Sequence, residues 1–346
     1  MNEEQHIDIA GEQRPAYSRA LLVPGPLPPL SHLGITLLRY AATTGLRYAL
    51  YHFGLPLPEA QPFKTIRLRL YFDARELRSL LTQVPGGADV VAALIEPGGA
   101  GSLPAAARPL VAALGFHRVR LLRFRPPSSR ALQPKGSETP QELWNLFRTH
   151  LSRLLPRVND AFLADLIASV NRRAARAAGE NLPPVLSRSA WELRTGGAAD
   201  LRLFGVPDLL TPSWADEPAR AEAARRALEP HSVPGHDRYR GRFREAYRAL
   251  LSQLSPLYCA LARQAAERGF LETTRDACFL PFDLAGDLAA DQKPSWLEAG
   301  VRSNRVEYES LRRAAEPLDL MTEKQEMSPV GGERNEWEWT PLLPLP

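Results

Sequence analysis

The sequence predicts a mainly α protein with a few short β-strands, built as one elongated helical domain. Three observations carry that expectation. Apolar residues recur at helical spacing over long stretches, and the longest runs through Phe243, Tyr247, Leu250, Leu251, Leu254, Leu257, Leu261 and Ala265. Thirty-two prolines cluster at the joins between such stretches, as rigid turns between helices do. Period-two alternation, the mark of a half-buried strand, is confined to Ile66, Leu68, Leu70 and Phe72. With 346 residues, 44% apolar and 24% charged, the chain has the composition of an ordinary globular protein with a sizeable core.

In chain order, residues 1–20 read as a flexible lead-in: acidic, and without the apolar stretch of a signal peptide. Leu21 to Leu30 is an extended proline-rich segment, and Ser31 stands where it can cap a helix over the next twenty residues. That helix contains the most membrane-like run, Leu33 to Phe53, but Arg39, Arg47 and two threonines within it point to a buried helix instead of a spanning one. The alternating strand follows. Residues 96–109 form a small-residue linker, and residues 116–127 fit either a strand or a helix end. A loop then leads through Ser137 to Pro140 into a helix at Glu142. Two helical patterns cover Leu143 to Leu155 and Val158 to Ala178, with Gly179 closing the second.

The long amphipathic helix begins near Arg238 and stops at Gly269, placed for a left-handed C-terminal cap. After it come a short apolar segment, Ala277 to Leu280, and a weaker helical pattern to Leu288. A last helix carries Trp296, Val301, Val306, Tyr308 and Leu311, and Pro317 ends it. Residues 318–346 have no periodicity and read as a flexible tail that could dock through Trp337 and Trp339.

Charge and residue chemistry exclude several classes. The balance of 43 basic and 39 acidic residues is too even to imply nucleic acid, and the arginines lack interleaved aromatic platforms. Two cysteines, Cys259 and Cys278, are too few for a disulfide framework or a zinc site and read as buried core residues, which makes the cytoplasm the expected compartment. The histidines show no metal-ligand spacing, and neither a phosphate-binding glycine loop nor a serine-hydrolase elbow is present. No residue stands out as catalytic. The candidates for substrate or anion contact are two arginine clusters. Arg238, Arg240, Arg242 and Arg244, with Arg248, lie at the start of the long helix, and Arg118 and Arg120 lie with Arg123 and Arg125. The alternative for both is a solvated face paired with acids such as Asp237 and Glu245. Asp73, Glu76, Asp276 and Asp283 flank apolar segments, where carboxylates serve as caps or as site residues.

The order of parts from residue 21 to 317 resembles the central, substrate-side region of the phosphoenolpyruvate-utilising phosphotransferases, the family of phosphoenolpyruvate synthase and rifampicin phosphotransferase. Arg244-Glu245, Gly269, Asp276, Phe279, Leu280, Arg305, Glu307, Tyr308 and Pro317 stand where that pattern has a long helix ended by glycine, an aspartate-led apolar strand and a charged helix leading to proline. Pro212, Trp214, Asp216, Glu217 and Pro218 match a further turn. Two departures are plain: Arg69 replaces a glycine, and Phe204-Gly205-Val206 replaces a His-Arg-Gly triplet.

The resemblance implies a stand-alone subunit that works beside separately encoded nucleotide-grasp and phosphohistidine chains. ATP and magnesium would be bound by the partner chains and no cofactor by this one. A small-molecule substrate is compatible with this reading, and neither nucleic acid nor membrane is expected as a partner. Ser31-His32 is similar to the family's phosphohistidine motif, but Leu27-Pro28-Pro29 stands in place of the glycine pair whose amides cradle phosphate. The alternative function is a non-catalytic binding or scaffold protein descended from such an enzyme.

Overall fold

The computed structural model describes residues 17–18, 29–52, 62–81, 134–177, 242–313 and 320–321. Within them the chain is mainly α, with four short strands. The core is a three-helix crossing of α1 (His32–His52), α3 (Pro140–Ala177) and α4 (Arg242–Glu267), in which α3 packs against both of the others. Leu33 and Leu37 share one small internal space with Phe147, while further along Gly45 lies against Phe162, so α1 and α3 run in the same direction.

Each helix starts where residue chemistry lets it. The Ser31 hydroxyl accepts the Gly34 N–H (3.0 Å), the N-cap expected of it. Before α3, Thr139 and Glu142 form a reciprocal capping box. The Glu142 carboxylate takes the Thr139 N–H (2.7 Å), the Thr139 hydroxyl takes the Glu142 N–H (3.3 Å), and Pro140 fills the first helical position. The backbone N–H and hydroxyl of Thr139 hold the Glu142 carboxyl below its ordinary value of 4.5. A carboxyl depressed in the fold contributes stability above its unfolded value and loses it as the pH falls through the folded one. The melting temperature of the native chain should therefore exceed that of Glu142→Gln at pH 7, and the gap should close as the pH drops below 4.5 in thermal unfolding. A gap independent of pH would mean that the charge does nothing there.

At the other end of the bundle, α4 closes in a Schellman turn. Gly269 sits at φ 72°, its N–H bonds to the Ala266 carbonyl, and the Phe270 N–H reaches back to the Ala265 carbonyl.

Five expectations are corrected. The alternating segment is a hairpin, not a single strand: β2 (Phe63–Ile66) pairs antiparallel with β3 (Arg69–Asp73). Its turn, Arg67-Leu68, has φ of 50° and 54°, the left-handed values that a two-residue type I′ turn requires. The helix over 140–177 is continuous through Pro156, because packing on two sides outweighs the hydrogen bond that proline cannot make. The apolar segment near Cys278 is a 3-10 helix (Thr274–Phe279) and not a strand. It is followed by α5 (Leu284–Ala289) and α6 (Leu297–Arg313). On α6 the buried stripe is Leu297, Val301, Tyr308 and Leu311, whereas Trp296 just before it and Val306 on it face outward. Cys278 is buried as expected, but Cys259 is exposed.

Asp73 caps α2 (Ala74–Leu81), its carboxylate taking the N–H groups of Arg75 and Glu76. Arg69 is buried and donates to the Arg67 carbonyl. Two-residue strands β1 (Tyr17–Ser18) and β4 (Leu320–Met321) extend the sheet in the order β2-β3-β1-β4. They bring together segments from the lead-in and the tail. Among the described residues no helix is long and apolar enough to cross a membrane.

Candidate functional site

Asp276, Phe279, Arg305 and Tyr308, which follow α4 in the chain, meet in space. The Schellman turn delivers Phe270 and Leu271 to one side of a concavity of about 200 Å³, and α6 supplies Glu298, Val301, Arg302 and Arg305 to the other. Asp276 is at its base, 1% exposed. The Thr273 N–H donates to one oxygen of that carboxylate (2.9 Å), closing a capping box, and the Arg305 guanidinium binds the other. Arg305 also lies over the Phe279 ring, 5.6 Å from its centroid, and Phe279 packs edge-on against Tyr308. The Asn304 side chain donates to the Phe279 carbonyl (2.8 Å), fixing α6 on the 3-10 helix.

The lining carries two arginines, Arg302 and Arg305, and three carboxylates, Glu272, Asp276 and Glu298. A buried carboxylate and an aromatic face hold one side of the Arg305 guanidinium, which leaves its remaining donors directed by a rigid support. Arg302, exposed one turn earlier on α6, supplies a second positive charge at the rim. Glu298, also at the rim, is bound to Lys293 (2.8 Å), whose charge and hydrogen bond hold its carboxyl below the ordinary range. Among the lining residues there is no Ser, Cys or His to act as a nucleophile.

Arg238, Arg240, Arg118 and Arg120, with Arg123 and Arg125, lie outside the described residues. Arg242 opens α4 and Arg244 follows within it. The backbone donors at that helix start, which an external anion would use, go to the chain's own Asp165. Its two oxygens take the N–H groups of Arg242 (2.9 Å) and Phe243 (3.1 Å). Arg248 is buried. His32 is the first residue of α1, and its Nε2 lies 3.2 Å from the Glu307 carboxylate of α6. Asp73 and Asp276 are helix caps, and Asp283 is exposed.

A larger groove of about 690 Å³ runs along the outer face of α3, with Tyr40 of α1 and the Phe282-Asp283 corner on its opposite wall. Nothing in the sequence marked it, because its floor is made of ordinary surface positions of an amphipathic helix.

No family model, no curated protein and no solved structure matches the chain.

Proposed function

We propose that this chain is the stand-alone, substrate-side subunit of a split phosphotransferase similar to phosphoenolpyruvate synthase. It acts with a separate ATP-binding chain and a separate phosphohistidine chain. The single observation in favour is the convergence of Asp276, Phe279, Arg305 and Tyr308. These positions fit the family pattern across more than thirty residues of sequence, and they pack together beside a concavity to which Asp276 and Arg305 contribute with Arg302. Such a site suits an acceptor that carries or receives a phosphoryl group. Arg302 and Arg305 would neutralise its charge, while the histidine chemistry arrives from the partner chain. The subunit binds and orients, and transfers nothing alone.

Affinity co-purification from the native cell, followed by mass spectrometry, tests the division of labour. Recovery of a nucleotide-grasp chain and a phosphohistidine chain is the expected result. Transfer of phosphate from ATP by the purified chain alone would overturn it. Recovery of neither partner by a well-folded chain would favour the non-catalytic binding protein instead, a reading that the α3 groove supports.

A further inference from the structure

We infer that the groove along α3 is a binding site for a short, free-ended peptide with aromatic side chains, of dipeptide size. The inference goes beyond the phosphotransferase reading and uses none of the residues of the Asp276–Arg305 concavity.

Shape comes first. Groove residues run from Trp144 to Asn159, about 22 Å along α3 at 1.5 Å per residue. The volume of about 690 Å³ is in the range of small-ligand sites and too large for a single amino acid. Aromatic surface stands at two separate places. Trp144 is stacked on Phe147 and held with its indole edge against Gly286, so tightly that a Cβ at position 286 would sit 3.0 Å from the ring. Tyr40 and Phe282 pair on the opposite wall with centroids 5.4 Å apart. Two rigid aromatic platforms suit two ring-bearing side chains.

Charge comes second. Arg148 and Asp283 both line the groove, and among the described residues neither has an ion-pair partner, including each other. Opposite charges held apart in one concavity match a ligand that carries both, with its carboxylate on Arg148 and its ammonium on Asp283. An extended dipeptide spans about 7 Å between those groups.

Unmet hydrogen bonding comes third. Pro156, on the groove wall, has no N–H to give the Ser152 carbonyl, which leaves a backbone acceptor beside the groove. That acceptor needs an N–H or O–H donor, and a peptide amide is such a donor.

Isothermal titration of the full chain with Phe-Tyr, and with its N-acetylated and C-amidated forms, tests the assignment. The free dipeptide should bind, and blocking either end should weaken binding about tenfold, the loss of one charge-assisted contact. Arg148→Gln should weaken the free peptide similarly but leave the C-amidated form unaffected. Asp283→Asn should do the same for the N-acetylated form. Absence of binding at about 1 mM peptide, or equal affinity of free and blocked peptides, overturns the proposal. The blocked peptides on the unmodified chain decide it even where a variant folds poorly.

Discussion

Phe162→Ala should lower the free energy of unfolding by about 3–5 kcal/mol, the cost of emptying a fully enclosed aromatic site. The ring is 2% exposed and stands at the crossing of three elements. It packs edge-on against Phe243 of α4 (5.2 Å between centroids) and Phe63 of β2 (6.5 Å). Against α1 the approach is closer still: a Cβ at position 45 would lie 2.8 Å from Phe162 Cβ and Cγ, so only glycine lets the helices cross here. Gly45→Ala should therefore cost about 1–3 kcal/mol by overpacking. The two changes are coupled, because trimming the ring removes the Cγ clash but leaves the Cβ one. The double variant should fall short of the sum of the singles by about 1 kcal/mol in urea denaturation. A Phe162→Ala cost below about 1 kcal/mol would mean that the crossing is not the centre of the core.

That crossing was partly legible in the sequence. The stripes on α1, α3 and α4 name their buried faces, since burial of one face is what fixes helical spacing. What periodicity could not give were features decided by tertiary contacts. A hairpin turn is sought at Asn-Gly or Asp-Gly, and Arg67-Leu68 has neither. Its left-handed backbone is tolerated because Leu68 is buried and its carbonyl accepts the Leu30 N–H (3.0 Å). Pro156 reads as a helix end by local rules, yet the flanking turns of α3 are locked on α1 and α4. The four residues Ala277 to Leu280 are too few to separate a strand from a 3-10 turn. Strands of two residues, such as β1 and β4, leave no pattern at all.

The sites divide in the same way. A capping role for Asp276 follows from its residue type, but its pairing with Arg305, 29 residues on, is set by how α6 docks. The α3 groove exists only because Tyr40 and Phe282 arrive from distant segments.

Arg305→Ala separates what that docking does for the fold from what it does for a ligand. Removing the cation leaves the Asp276 carboxylate, 1% exposed, with the Thr273 N–H but without its counter-charge. A fully buried pair broken in this way costs about 3–5 kcal/mol. The Arg305 side chain is 41% exposed, so water screens part of the interaction, and the expected loss is about 2–3 kcal/mol in chemical denaturation. Arg302→Ala removes the neighbouring cation, which is exposed and outside the core stripe of α6, and should change stability by less than about 0.5 kcal/mol. Both variants should bind phosphoenolpyruvate or inorganic phosphate about tenfold more weakly than the native chain if the concavity takes an anion. Undiminished binding by both variants would assign the Asp276–Arg305 pair to folding alone, because an arginine that serves only the fold can be removed without loss of the anion.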